Sequence, residues 1–276
     1  MNTKRKIAIL FHETDNRRQL GYIINGLAEI WRADGHEVIY LFGVSKFVPA
    51  DLVIVHVDLS VVPDEYLEFA KRYPIVLNGA VKDIRKSAFS DLLVRPGDPY
   101  DGRVIVKSDL NYAGDRELAI QMLDGVRNLP APLFRSPSDY RVFDHLRTVP
   151  PEWLTRSDIV VEKFVPEMED SLYHVRMLLF LGDRMTCSRL ASPDPIVKWS
   201  NQIRMEKVEP HPAIVQRLRE MKFDCGKFDY VIHNGEAFLL DANKTTGSAN
   251  VRLTPELMAT RRYLAEGLYP YFEGAR

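Results

Sequence analysis

Residues 228–247 read FDYVIHNGEAFLLDANKTTG. Two apolar runs, 228–233 and 236–241, flank Asn234-Gly235. That dipeptide signals a two-residue hairpin turn because both positions tolerate positive φ. An antiparallel hairpin is therefore predicted. Asp229 lies on its first strand, and Asp241 and Asn243 lie at the end of its second. Residues two apart in a strand point to the same side, so the three side chains are predicted to converge. Two carboxylates and an amide oxygen are hard ligands, which suit Mg²⁺ when phosphate and water complete its shell. Taken alone, they read equally well as polar residues at strand ends.

Working outward, a longer hairpin-like pair is predicted at 173–181 and 184–190, with a helix at 212–221. A C-terminal helix is predicted at 255–271. At the other end, short apolar runs at 7–11, 38–42, 51–57 and 74–78 alternate with helical patterns. Leu20, Ile23, Ile24, Leu27 and Trp31 recur at helix spacing, and a second helix is predicted at 63–72. Continuous apolar strands separated by helices indicate a parallel sheet covered on both faces. No G-x-G-x-x-G follows the first strand, so the dinucleotide fingerprint is missing from its place. Between the two ends lie a basic segment (VKDIRKS, 81–87), a Pro/Gly bend (95–102) and a strand at 103–107. A helix at 116–126, an irregular stretch at 128–152 and a strand at 159–165 follow.

The bulk numbers narrow the class. With 276 residues, 46% hydrophobic and 27% charged, the chain suits a globular protein of two or three lobes. A net charge of −1 gives no reason to expect nucleic acid or a membrane surface as the main partner. The two cysteines, Cys187 and Cys225, form neither a disulfide framework nor a zinc site. The apolar run at 7–11 is too short for a signal peptide, and no run reaches the ~18 residues of a membrane span. A cytoplasmic location is the expectation.

Two further pieces carry chemistry. Lys107 ends a buried-type strand, where a lysine is costly unless an anion meets it; a nucleotide phosphate would serve. The following Asn111-Tyr112-Ala113-Gly114 is a loop able to turn backbone N–H groups toward phosphates. In IVVEKFVPEMED (159–170), Glu162 again follows a β-rich run. The backbone of 163–165 offers an edge to a planar base, and Glu169 has the reach for a ribose. The ordinary readings are a solvated lysine and an acidic loop.

Taken in order, the three pieces resemble the ATP-grasp superfamily, most of all its ribosomal-protein-glutamylating and D-alanine–D-alanine ligase branches. That family carries a strand ending in a phosphate-binding lysine, a glutamate hinge strand, and a D-x(n)-[DE]-x-N metal signature with a glycine soon after. The counterparts are Val104-Ile-Val-Lys107, Val160-Val-Glu162-Lys163-Phe-Val165, and Asp229 with Asp241-Ala-Asn243 and Gly247. The resemblance extends to about Asn250. It implies an α/β (α+β) fold of three lobes. These are a doubly wound parallel-sheet lobe at 1–80, a small central lobe at 81–165, and a mixed or antiparallel C-terminal lobe at 166–276.

The resemblance also implies roles. Lys86 and Lys107 would bind ATP phosphates, Glu162, Lys163 and Val165 would form the adenine hinge, and Glu169 would meet the ribose. Asp229, Asp241 and Asn243 would hold Mg²⁺ (or Mn²⁺). Arg176 and Arg189 match paired arginines on the family's β-ribbon, and Lys227 falls where some ligases set an arginine against the transferring phosphate. Asp241 stands where glutamate is usual, Lys227 replaces arginine and so loses a bidentate fork, and the phosphate loop is poor in glycine. The implied activity is ATP-dependent carboxylate–amine (or thiol) ligation through an acyl phosphate. The expected partners are a small-molecule or peptide carboxylate and an amine acceptor, without nucleic acid or membrane, and a homodimer is admitted. Arg176, Arg189, Lys198 and Arg204 are candidates to hold an anionic substrate. His12, Glu13 and Asn16, after the first strand, are candidates for further contacts. The segment 134–153 reads as a lid or a connector. The alternatives are a small-molecule kinase of the same superfamily, a non-catalytic nucleotide-binding relative, and a glycosyltransferase-like protein.

Overall fold

The computed structural model describes residues 4–17, 21–95, 97–126, 131–247 and 254–274. Leu20, Asn250 and the side chain of Asn16 lie outside that description. The first lobe is a parallel sheet of β1 (Lys6–Phe11), β2 (Glu37–Phe42), β3 (Leu52–Val55) and β4 (Val76–Leu77), in the order β2-β1-β3-β4. β1 is apolar from Ile7 to Phe11 because both its faces are covered there. Ile7, Ile9 and Phe11 enter one core, and Ala8 and Leu10 enter another. Helix α1 (Ile23–Ala33) supplies Ile24, Leu27, Ala28 and Trp31 to the first core. Helix α2 (Asp64–Ala70) supplies Tyr66, Phe69 and Ala70 to the second.

The small lobe is an antiparallel sheet of β5 (Val104–Ser108), β6 (Arg141–Phe143) and β7 (Ile159–Lys163), ordered β6-β5-β7. Helices α3 (Lys86–Phe89), α4 (Asp115–Leu123) and α5 (Pro151–Leu154) belong to the same stretch of chain. β6 was not expected: three residues among prolines and aromatics give no periodic signal. Nor was β11 (Arg204–Val208) in the third sheet, a polar strand with four exposed residues out of five.

The third sheet holds β8 (Glu167–Glu169), β9 (Leu172–Leu181), β10 (Arg184–Ser192), β11 (Arg204–Val208), β12 (Cys225–His233) and β13 (Glu236–Asn243). Its order is β11-β10-β9-β12-β13, with β8 paired to β9, and every pairing is antiparallel. Asn234 and Gly235 turn the last hairpin at φ 52° and 84°, the geometry that Asn-Gly favours. This mixed architecture, one parallel sheet and two antiparallel ones, is the fold class expected from the sequence.

The cores cross the expected lobe boundaries. One face of the large sheet, with Leu178, Phe180, Phe228 and Tyr230, packs on α6 (Pro212–Glu220) through Ile214 and Leu218. Val81, Ile84 and Phe89 join that core rather than the small lobe's own. Conversely Ile196, from the β10–β11 connection, packs against the small lobe's core, which includes Val104, Phe134 and Tyr140. The C-terminal helix breaks into α7 (Pro255–Glu266) and α8 (Tyr269–Glu273). Leu264, Ala265 and Leu268 complete the core over α1, and the Trp31 indole donates to the Ala265 carbonyl at 2.9 Å.

Candidate functional site

The site begins with strand register. Across β12 and β13, Asp229 stands opposite Asp241 and Lys227 opposite Asn243, with a bulge after Asp229. Phe228, Tyr230 and Ala242 enter the α6-side core, so alternation turns these four residues to the other face. Gly226 makes the close approach possible: a Cβ there would stand 2.5 Å from the Asn243 carbonyl oxygen.

The small lobe brings two lysines to this face. The Lys86 ammonium is 3.3 Å from Asp241 and donates to the Leu110 carbonyl at 3.2 Å. Asp109 fixes the turn that carries it, accepting from the Ser87 N–H and hydroxyl at 2.7 Å each. Lys107 pairs with the fully buried Glu162 and donates to the Leu240 carbonyl at 3.2 Å. Lys227 adds a third ammonium, 2.5 Å from Asp229.

A fourth comes from the β10–β11 connection. Lys198 feels the charges of Asp229, Asp241, Lys227 and Lys107, and its ammonium lies 5.6 Å from the centre of the Tyr140 ring. Asn201 steadies this loop by accepting from the Lys198 N–H at 2.7 Å and donating to the Ile196 carbonyl at 3.0 Å. Tyr140, on the segment read as lid or connector, is buried, and burial pushes its phenol up to about 12. Neither Tyr140 nor Asp109 has a sequence signal. Both act through neighbours far along the chain.

The electrostatics follow from four ammonium groups around three carboxylates. Burial works against an ionised Asp241, but Lys86, Lys227, Lys198 and Lys107 outweigh it and hold its pKa below the usual carboxylate value. Burial likewise works against Lys86 and Lys227, and the facing carboxylates raise both all the same. For Lys198 burial wins, and its pKa falls.

Other predicted residues go elsewhere. Arg176 and Arg189 stand opposite each other on β9 and β10. Arg176 is also in register with Tyr230, which places both on the face away from Asp229 and Asp241. They clamp the buried Glu167: Arg176 at 2.9 Å and Arg189 at 2.7 Å. Arg189 also takes Glu169 at 2.6 Å and Glu206 at 3.1 Å. So the two arginines and Glu169 gather around one another and not around the paired aspartates. In the segment expected to form the adenine hinge, the Lys163 and Phe164 N–H groups are held by the Leu92 and Arg103 carbonyls at 2.8 and 2.9 Å. The Lys163 ammonium lies over the Tyr100 ring.

At the carboxyl end of the parallel sheet, His12 stacks on Tyr66, and its Nδ1 is 2.9 Å from the Thr14 hydroxyl. Glu13 donates its N–H to the Tyr66 hydroxyl. The Asn111–Gly114 loop runs through three left-handed residues, Tyr112, Ala113 and Gly114. The Asn111 N–H donates to the Ser60 hydroxyl at 2.8 Å, so the loop is anchored on the first lobe.

The donor set fits a divalent cation that shares its shell with an anion. Among the described residues no three His, Cys, Asp or Glu side chains come together as a metal cage. Asp229, Asp241 and the Asn243 amide oxygen leave about half of an octahedral Mg²⁺ shell to other oxygens, and the surplus of lysines suits phosphates.

No protein-family model matches the sequence, and no curated protein matches it. Solved structures do show likeness over nearly the whole chain. D-alanine–D-alanine ligase from Bacillus anthracis is 10% identical, with 99% of this chain and 100% of that chain covered and a TM-score of 0.49. A RimK domain ATP-grasp protein from Sphaerobacter thermophilus is 12% identical, with 96% and 99% covered and a TM-score of 0.49. A RiPP-associated ATP-grasp ligase from Chryseobacterium gregarium, in complex with ADP and a leader and core peptide, is 11% identical, with 96% and 97% covered and a TM-score of 0.46. At such identities and scores, the functional reading rests on this chain's own residues.

Proposed function

We propose that the chain binds Mg-ATP between the small lobe and the large antiparallel sheet and uses it to activate a carboxylate for ligation. The observation that carries this reading is the ring of Lys86, Lys107, Lys198 and Lys227 around the register-paired Asp229 and Asp241. Such a ring has a purpose when several negative oxygens and a cation share the space, as in phosphoryl transfer. Asp229, Asp241 and Asn243 would hold Mg²⁺, which when bound neutralises phosphate charge and polarises the transferred group. The lysines hold the phosphates and stabilise the charge that spreads over the transferring group. The backbone at 163–165 takes the adenine edge. A carboxylate oxygen attacks the γ-phosphorus, ADP leaves, and an amine then displaces phosphate from the acyl phosphate. The chain's contribution is positioning and charge.

The test is thermal unfolding with ADP and ATP, with and without Mg²⁺. A ligand that binds only the folded state stabilises it by about 2.7 kcal/mol at a hundred times its Kd. A Mg²⁺-dependent rise that disappears in Asp241→Ala supports the site. ADP production that requires both a carboxylate and an amine supports the reaction. A protein indifferent to adenine nucleotides sinks the proposal.

A further inference from the structure

The segment that follows Asn243 is stitched to the first lobe. The Lys244 ammonium donates to the Leu59 carbonyl at 2.7 Å, and the Ile23 N–H donates to the Thr246 carbonyl at 3.0 Å. Tyr22 and Gly247 form a β-bridge. Between these contacts runs a side-chain relay. The Thr245 hydroxyl lies 2.5 Å from Asp58 Oδ1 and 3.2 Å from Asn243 Oδ1. The Tyr22 hydroxyl donates to Asp58 Oδ2 at 2.6 Å. The Thr245 N–H donates to Asn243 Oδ1 at 2.7 Å.

A count of protons gives this arrangement a meaning. A threonine hydroxyl has one proton to donate, and an amide oxygen has two lone pairs. The Thr245 N–H requires an acceptor, so it fixes which end of the Asn243 amide is the oxygen, and it uses one lone pair. Two acceptors compete for the single hydroxyl proton. Asp58 is the nearer by 0.7 Å, the difference between 3.2 and 2.5 Å, and a carboxylate is the stronger acceptor. The proton therefore goes to Asp58, and the second lone pair of Asn243 stays open. Tyr22 holds the other carboxylate oxygen, which keeps Asp58 in place.

We propose that Asp58 is a positioning residue for the metal site: by drawing the Thr245 hydroxyl proton away from Asn243, it leaves the amide oxygen free to ligate a divalent cation. The inference rests on Asn243 being a metal ligand. It makes a first-lobe carboxylate, 185 positions before Asn243 in the chain, a determinant of metal affinity. Without Asp58 the hydroxyl turns to Asn243 and competes with the cation for the same lone pair.

The experiment is a calorimetric titration of Mn²⁺ into the whole protein saturated with ADP, with thermal unfolding as a check on folding. Asp58→Ala is expected to weaken Mn²⁺ by about tenfold or more, the usual scale for an outer-shell partner, and to leave ADP binding without metal unchanged. Thr245→Ala keeps the backbone N–H and loses the competing hydroxyl, so Mn²⁺ affinity stays within about twofold of wild type. The double variant is expected to regain wild-type affinity, because no hydroxyl remains to compete. Asp58→Asn, a weaker acceptor of the same shape, serves if Asp58→Ala does not fold, with a smaller loss that Thr245→Ala again abolishes. Wild-type affinity in Asp58→Ala, or a double variant as weak as Asp58→Ala, overturns the inference. Asn243→Ala with undiminished Mn²⁺ affinity is a different failure, that of the metal-site reading itself.

Discussion

Lys107 and Glu162 meet on adjacent strands of the small sheet, ammonium against carboxylate, with 7% and 0% of their side chains exposed. A pair this deep seldom exists for stability, because desolvation offsets most of the attraction. Here the lysine also reaches the Leu240 carbonyl on the large sheet, so it is held at the seam where the nucleotide is proposed to lie. Lys107→Met is expected to destabilise the protein by about 3–5 kcal/mol, by stranding a buried carboxylate. Lys107→Met/Glu162→Leu is expected to regain most of that loss and still bind ADP poorly. Denaturant melts and ADP titrations on both variants check this; ADP affinity restored along with stability counts against a phosphate role for Lys107.

Glu167 gathers Arg176 and Arg189 on the opposite face of the large sheet and also accepts from the Ile232 N–H at 2.8 Å. Burial opposes its charge, but the Arg176 bonds, the Ile232 N–H and the Arg189 charge outweigh it and lower its pKa. Glu167→Ala is expected to cost about 3 kcal/mol of stability, chiefly by stranding the largely buried Arg176 guanidinium, since Arg189 keeps Glu169 and Glu206. Mg-ADP affinity is expected to stay at the wild-type value. A variant that unfolds normally but loses nucleotide binding would return these arginines to the site.

His56 gives the protein an acid limit. It is fully buried between Phe11 and Tyr22. Burial holds its pKa down at about 4, with Asp58 only partly opposing the shift. The unfolded chain therefore binds a proton near pH 6.5 that the folded chain refuses until about pH 4. The stabilising effect is complete above 6.5 and fades as pH falls from 6.5 to 4. At most about 3 kcal/mol is involved. His56→Phe is expected to flatten this part of the stability curve, measured by urea unfolding at pH 7 and pH 4.5.

Gly226 is the steric gate to Asn243. With a Cβ only 2.5 Å from the Asn243 carbonyl oxygen, Gly226→Ala is expected to push β13 away at the end proposed to bind metal. Mn²⁺ affinity in the presence of ADP should fall by about tenfold or more, while the remote hairpin turn at Asn234-Gly235 keeps its amide protection in hydrogen exchange. Unchanged Mn²⁺ affinity would show that the strand end adapts.

The hairpin that sets the site was legible because its turn chemistry and its two apolar runs agree, and the register then follows. The parallel lobe was legible because Ile7–Phe11 has to be apolar on both faces. Arg176 and Arg189 lie on the face away from the paired aspartates for a definite reason. Alternation says that they share a face, but only packing on α6 says which face looks toward the aspartates. Lys198 and Tyr140 approach each other across 58 positions of chain, and Asp58 reaches Thr245 across 187. No local pattern encodes contacts of that span. β11 escaped notice because an exposed strand needs no hydrophobic alternation.

The packing of α7 on α1 has a consequence for how the protein is made. Synthesis proceeds from the N-terminus, so the first lobe's strands and α1 leave the ribosome before α7. Their shared core is closed by Leu264, Ala265 and Leu268, and the Trp31 indole waits for the Ala265 carbonyl, 234 positions later. Until that helix is translated, the core between the first sheet and α1 lacks these three side chains. The nascent lobe is an incomplete folding unit with exposed apolar surface, the kind of intermediate that chaperones hold, and the proposed metal site is completed only once β13 has been translated.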